Sequence, residues 1–69
     1  MTINKETKDL ILALAEDIKE YNPQGIGDFQ LFHIINYRLK TFSNIDLGEN
    51  FQDIISGVLN FPGELNDRN

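Results

Sequence analysis

The stretch Phe51-Gln-Asp-Ile-Ile-Ser-Gly-Val-Leu-Asn60 decides the fold, because it carries the clearest helical pattern in the chain. Its apolar residues recur at i, i+3, i+4, i+7 and i+8, the spacing of one face of an α-helix. They are Phe51, Ile54, Ile55, Val58 and Leu59. Pro62 and Gly63 follow, and they end the pattern because proline cannot continue a helix. The sequence therefore predicts a short amphipathic helix over about 51–60.

A second helical pattern lies upstream, over about 29–42. Five apolar residues form its predicted buried stripe: Leu31, Phe32, Ile35, Leu39 and Phe42. Asp28 precedes them and has the short polar side chain that favours the N-cap position. Ile34 and Tyr37, and less clearly Phe29, depart from the stripe. This helix therefore carries apolar side chains on more than one side.

The first helical pattern runs over about 5–20, with Asn4 or Thr7 as its candidate N-cap. Its predicted stripe comprises Leu10, Ile11, Leu14, Ile18 and Tyr21, with Ala15 at the edge. Leu12 falls among the polar residues on the opposite side. Pro23 ends the pattern, because a residue that precedes proline is displaced from the helical region.

Two short links separate the three patterns. The segment 21–28 holds two glycines and a proline and predicts an ordered turn. The segment 43–50 contains Gly48 as a break and leaves room for one extra helical turn. No stretch alternates like a strand, so we expect an all-α, antiparallel three-helix bundle. It forms one domain over 1–69, and 61–69 is expected to be a flexible tail.

Composition narrows the functional classes. Eleven acids against six bases give a net charge of −5, which opposes binding to a nucleic-acid backbone. The chain has no cysteine, which excludes disulfides and most structural zinc sites. Its longest mainly apolar stretch, 10–15, is too short to span a bilayer, and no export signal is recognisable. We expect a soluble cytoplasmic protein with no cofactor and no metal.

Neither of the two glycine-containing loops matches a known ligand-binding motif. The loop Gly25-Ile26-Gly27 lacks the preceding strand and the third glycine of a dinucleotide fingerprint, and Asp28 places a negative charge where an anion would bind. The acids around Gly48 do not follow the calcium loop, because the ligand positions fall on Ile45, Leu47 and Ile54. Both loops are therefore interpreted as ordinary links.

No catalytic arrangement is recognisable. His33 is the single histidine, and helical spacing places it near Tyr37 and Lys40 on the polar side of its helix. Neither Ser43 nor Ser56 lies in a nucleophile motif. Paired carboxylates would need a cleft that a bundle of this size does not offer. The sequence therefore favours a non-enzymatic protein with a surface histidine.

Two nucleic-acid hypotheses remain as alternatives. Residues 29–42 contain Arg38 and Lys40 and no acid, so the first two helices are compatible with a minor helix-turn-helix DNA-binding domain. The acidic remainder suggests the opposite, a mimic of nucleic acid that blocks a nucleic-acid-binding protein. Competition with DNA and salt-dependent duplex binding would distinguish the two.

The preferred hypothesis is a small protein-binding or regulatory protein that acts through a helix face. It is an inhibitor, an adaptor or a homo-oligomer subunit, with a homodimer as the expected assembly. The candidate interface comprises Leu12, Ile34, Tyr37 and Arg38, since tyrosine and arginine are enriched where interfaces carry their binding energy. The open alternative is that another part of the same chain covers these residues.

Overall fold

The computed structural model describes residues 3–60, which form three α-helices and one 3₁₀ turn. The elements are α1 (Lys5–Glu20), α2 (Asp28–Phe42), the 3₁₀ turn (Gly48–Asn50) and α3 (Phe51–Asn60). They confirm the all-α three-helix bundle, and the 3₁₀ turn lies in the 43–50 link that leaves room for an extra turn. The expected tail, 61–69, lies outside the described residues.

α1 begins with a side-chain N-cap, whereas α2 begins without one. Asn4 caps α1, because its side-chain Oδ1 accepts a hydrogen bond from the backbone N–H of Thr7 at 2.7 Å. Thr7, the other candidate cap, lies inside the helix. Gly27 occupies the N-cap position of α2 without a side-chain bond, so the prediction that Asp28 caps this helix is wrong. Asp28 is the first helical residue, and the positive end of the helix dipole stabilises its negative charge.

The link between α1 and α2 is an ordered turn. The backbone N–H of Gly25 donates to the carbonyl of Asn22 at 2.8 Å. Asn22 Nδ2 donates to the carbonyl of Ile18 at 2.7 Å and so satisfies a free acceptor at the end of α1. Gly25 has a φ of 102°, a conformation that side chains with a Cβ rarely adopt. The predicted turn is therefore present and needs glycine at this position.

The link between α2 and α3 also uses left-handed backbone. Asn44 has a φ of 55°, which asparagine tolerates better than most residues. The backbone N–H of Ile45 then returns to the carbonyl of Leu39 at 2.9 Å. Asp46 Oδ1 accepts from the backbone N–H of Gly48 at 2.9 Å, and Gly48 has a φ of 79°. These bonds define the path of the chain into the 3₁₀ turn.

The core is contributed by all three helices, each of which packs against the other two. Its buried apolar residues are Ile11, Ala15, Ile18, Leu31, Ile35, Leu39, Ile55 and Val58. All eight belong to the predicted stripes or to their edges. Lys19, Asp28 and Asn60 line one depression, so α1 and α3 end beside the start of α2. This is the antiparallel order that short links favour.

The stripe prediction is wrong at two helix ends. Tyr21 and Phe42 are exposed, although both continue the apolar stripe of their helices. Each stands at the end of its helix, where the pattern continues but the surrounding packing stops. The structure also buries two polar residues near the start of α1, Thr7 and Lys8, which the apolar pattern does not predict.

Candidate protein-interaction surface

Four large aromatic side chains remain exposed among the described residues. Their exposed fractions are 77% for Tyr21, 70% for Phe29, 63% for Tyr37 and 77% for Phe42. Three of the four belong to α2. A single exposed apolar residue is ordinary on a protein surface, whereas several that share one face indicate an interaction surface.

Two of these rings share one side of α2 with the histidine between them. Phe29, His33 and Tyr37 follow the spacing i, i+4 and i+8, which places them along one line of the helix, and all three are exposed. We term these three residues the aromatic stripe. Each of them is followed two positions later by a core residue, about 200° around the helix. Those core residues are Leu31, Ile35 and Leu39. The helix is therefore apolar on two opposite sides.

The middle of the aromatic stripe is held by a ring contact. The ring centroids of His33 and Phe51 lie 5.1 Å apart, with an interplanar angle of 65°. This edge-to-face arrangement is a favourable geometry for two aromatic rings. Phe51 begins α3 and packs against the core, so the contact connects the stripe to the bundle. His33 lies at the surface, as its helical position predicts.

Basic side chains lie beside the stripe, and no carboxylate occurs between residues 29 and 42. Arg38 Nη1 donates to Asp17 Oδ2 at 3.1 Å and so joins α2 to α1. Lys40 is exposed in the last turn of α2, where a cation is favoured by the negative end of the helix dipole. Lys40 therefore places a positive charge beside the stripe, whereas Asp17 offsets the charge of Arg38.

The outward side of α1 has the opposite character. Its exposed acids are Glu6, Asp9, Glu16, Asp17 and Glu20. Lys5 Nζ lies 3.2 Å from Asp9 Oδ2 and offsets one of these charges. α1 contains no aromatic residue. The two helices therefore present surfaces of different chemistry to solvent.

The structure separates the four residues of the predicted interface. Tyr37 is exposed and Arg38 pairs with Asp17, on the side of α2 that meets α1. Ile34 lies one turn before them, at an angle between the two around the helix, and is half-buried against the core. Leu12 also packs against the core, and it lies about 140° around α1 from Asp17. Leu12 therefore does not share a face with the other three.

Two residues of the aromatic stripe are missing from the predicted interface. The helical pattern identifies Phe29 only as a weak departure from the buried stripe and His33 only as a surface histidine. The spacing of Phe29, His33 and Tyr37 is visible in the sequence. The spacing indicates a second apolar face only when the structure shows that Leu31, Ile35 and Leu39, on the opposite side of α2, are buried in the core.

A small pocket lies where the three helix ends meet. Its volume is about 220 Å³, and its lining combines apolar and polar side chains: Lys19, Asp28, Leu31, Phe32, Ser56, Leu59 and Asn60. Ligand pockets usually measure roughly 300–1,000 Å³. This depression is therefore a weaker candidate for a functional site than the aromatic stripe.

Other site types find no support in residues 3–60. No three His, Asp or Glu side chains of this range are grouped so that they could share a metal ion. None of its helices combines the length and apolar character needed to cross a membrane. Comparison with protein-family models, with curated proteins and with solved structures gives no significant match. The class defined by the fold is a small all-α three-helix bundle.

Proposed function

We propose that this protein is a non-enzymatic binding protein that recognises a protein partner through the aromatic stripe of α2. One observation carries the proposal: Phe29, His33 and Tyr37 form a line of exposed rings directly opposite the core-facing side of the same helix. A face that only contacts water does not require large rings, since polar side chains are hydrated at a lower free-energy cost. A cysteine-free chain also suits the reducing cytoplasm, where we place this binding.

The exposed area of the two rings determines how much binding free energy they can contribute. An aromatic side chain buries about 150–250 Å², so the exposed fractions of Phe29 and Tyr37 correspond to roughly 100–160 Å² each. At about 25 cal/mol per Å², covering one ring is worth about 3 kcal/mol before the costs of association. Arg38 beside the rings adds a residue type that is enriched in binding hot spots.

The test compares variants that differ only in the face they alter. The full chain, immobilised, is exposed to a lysate of its source, and the retained proteins are quantified for wild type, Phe29→Ser/Tyr37→Ser and Phe42→Ser. We expect a partner that wild type and Phe42→Ser retain and the double variant loses. Phe42 is a matched control, because it is an equally exposed ring on the same helix outside the stripe. Equal retention by all three proteins would contradict the proposal.

A second candidate function follows from α1. Its outward carboxylates, among them Glu6, Glu16 and Glu20, support the nucleic-acid mimic that blocks a nucleic-acid-binding protein. Competition between this protein and duplex DNA for a captured partner would test it. The helix-turn-helix alternative has less support, because Arg38, one of the two fixed positive charges of α2, is already paired with Asp17.

A further inference from the structure

We propose that the segment 45–53, which we term the latch, opens and closes locally while the rest of the bundle stays folded, and that the closed latch holds His33 in the aromatic stripe. The opening does not depend on a partner, whereas its effect on recognition rests on the proposed function. Three observations support the latch: a buried acceptor beneath it, its weak attachment to α2, and the position of the core residues of α3.

The buried acceptor belongs to Asn36. Its Oδ1 is buried and receives no hydrogen bond from residues 3–60. Around α2, Asn36 lies about 40° from Phe32, which lines a depression together with residues of α3. It also lies about 60° from His33, between His33 and the core-facing side. Because Phe51 packs against the core and also contacts the ring of His33, it crosses this part of α2. The latch therefore closes over the acceptor of Asn36.

The unpaired acceptor raises the free energy of the closed latch. A buried polar group without a hydrogen bond has lost its hydration and has gained no partner in exchange. When the latch opens, water reaches the side-chain carbonyl of Asn36 again. The closed state therefore carries a cost that an apolar residue at this position would not impose, and this cost favours opening here.

The first part of the latch is weakly attached to α2. In the segment 45–50, Ile45 and Leu47 are partly buried against the core and the other residues are exposed. The backbone hydrogen bond that connects this segment to α2 runs from the N–H of Ile45 to the carbonyl of Leu39 at 2.9 Å. Segments with few buried apolar contacts and exposed backbone are the ones that open locally in folded proteins.

The core residues of α3 lie beyond the latch. Ile55 and Val58 are fully buried, whereas no residue from 45 to 53 is. Asn44, directly before the latch, has a φ of 55° and marks a bend of the chain after α2. The latch can therefore open between Asn44 and Ile55 without removing a fully buried side chain from the core.

Opening changes the middle of the aromatic stripe. In the closed latch the ring of Phe51 lies 5.1 Å from that of His33 and holds the imidazole between Phe29 and Tyr37. In the open latch this contact is lost, and the side chain of His33 regains rotamer freedom. A partner must then order the side chain on binding, which lowers the affinity. The closed latch is therefore the state of the stripe that binds best.

The experiment is native-state hydrogen exchange of the full chain, followed by NMR over a series of low urea concentrations. The amides of Ile45 and Phe51 report on the latch, since they donate to the carbonyls of Leu39 and Gly48. We expect both to exchange faster than the amide of the core residue Ile35. Their rates should depend little on urea, because a local opening exposes little surface. Equal rates with equal urea dependence would overturn the latch.

Asn36→Leu tests the role of the buried acceptor. It should slow exchange at Ile45 and Phe51 by roughly tenfold relative to the amide of Ile35, because the closed latch no longer covers an unpaired carbonyl. If exchange at the two latch amides is not slowed relative to Ile35, the acceptor does not control the opening and this part of the inference is wrong.

Asn22→Leu is the matched control in the other link. Asn22 is also partly buried, but its Nδ2 donates to the carbonyl of Ile18 at 2.7 Å. The same substitution therefore removes a hydrogen bond that is in use. It should speed exchange at Gly25, whose N–H donates to the carbonyl of Asn22, and leave Ile45 unchanged. Slower exchange at Gly25 would show that leucine protects amides without regard to hydrogen bonding.

Phe51→Leu connects the latch with recognition. It keeps an apolar side chain at the start of α3 but removes the ring contact with His33, so it should reduce retention of a stripe-dependent partner by roughly two- to tenfold. Unchanged retention would overturn the effect on recognition and leave the local opening. A stripe that retains no partner would overturn the proposed function and this effect together, while the exchange rates decide independently whether the latch opens.

Discussion

Arg38 on α2 and Asp17 on α1 form an ion pair with an Nη1–Oδ2 distance of 3.1 Å, although 21 residues separate them in the chain. Their side chains remain 34% and 50% exposed, so solvent screens the attraction. The pair joins two helices at the border of the aromatic stripe. The pair therefore contributes little to the stability of the bundle, and its main effect is on the relative orientation of α1 and α2.

A double-mutant cycle tests this assessment. We expect Asp17→Asn and Arg38→Met to show a coupling free energy of about 0.2–1 kcal/mol in urea unfolding, because exposed ion pairs contribute little in water. The Lys5–Asp9 pair within α1 provides a reference, with an expected coupling of about 0.3–0.5 kcal/mol. A coupling above about 2 kcal/mol would show that the Arg38 pair is a main support of the fold.

The same substitution at two nearby positions of α2 tests which side of the helix is buried. Ile34→Asp should destabilise the bundle by about 2–4 kcal/mol, because Ile34 packs against the core and the new carboxylate loses water. Tyr37→Asp should cost less than about 1 kcal/mol, since that side chain is exposed. Thermal and urea unfolding give both values. Equal losses would place Tyr37 in the core.

Asn36 holds an acceptor that the fold does not use. Its Oδ1 is buried and receives no hydrogen bond within the part of the chain that the structure describes. Leaving a buried polar group unpaired costs about 1–3 kcal/mol, so Asn36→Leu should maintain or raise the free energy of unfolding. Asn36→Asp has nearly the same shape but should lower it, because a charge then replaces the amide. A stabilising aspartate would reveal a donor near this position.

Two glycines should respond to alanine with opposite signs. Apart from the adjoining residues and the helix's own backbone, neither Gly48 nor Gly57 has an atom within 4 Å of the position that a new Cβ would take, so crowding does not contribute. Gly48 has a φ of 79°, and alanine there should cost about 1–2 kcal/mol. Gly57 lies inside α3, where alanine should add about 1 kcal/mol of stability. Changes of the same sign in urea unfolding would disprove this backbone explanation.

The cap of α1 gives a further measurable contribution. Asn4→Ala removes the acceptor for the backbone N–H of Thr7 and should lower the free energy of unfolding by about 1 kcal/mol. Asn4→Asp keeps an acceptor at the same place and should restore most of that loss. If aspartate proves as damaging as alanine, the hydrogen bond is not the source of the effect.

The helices could be predicted closely because their stripes repeat with the helical period over two or more turns. The N-cap residue and the burial of the last stripe residue could not be predicted from the same pattern. Gly27 and Asp28 are both acceptable cap residues, and the pattern does not distinguish a start at one from a start at the other. Tyr21 and Phe42 continue their stripes correctly, but a helical wheel does not show where the neighbouring helix stops covering them.

The candidate surface was only partly predictable for a related reason. A wheel describes one helix at a time, so Leu12 on α1 and Ile34 on α2 both looked like apolar residues outside a stripe. Whether residues of two helices share a face depends on how the helices are rotated against each other. The Arg38–Asp17 pair shows which sides of α1 and α2 face each other, and therefore that Leu12 and Tyr37 lie on different faces.

The position of α2 between its two neighbours has a consequence for any partner. Since α2 packs against both α1 and α3, and Phe51 contacts the ring of His33, the backbone under the rings is already ordered before an encounter. Association then requires little loss of backbone freedom, and only a few side-chain rotamers must be fixed. The chain therefore presents a preorganised surface, whose affinity depends mainly on how well a partner matches the rings.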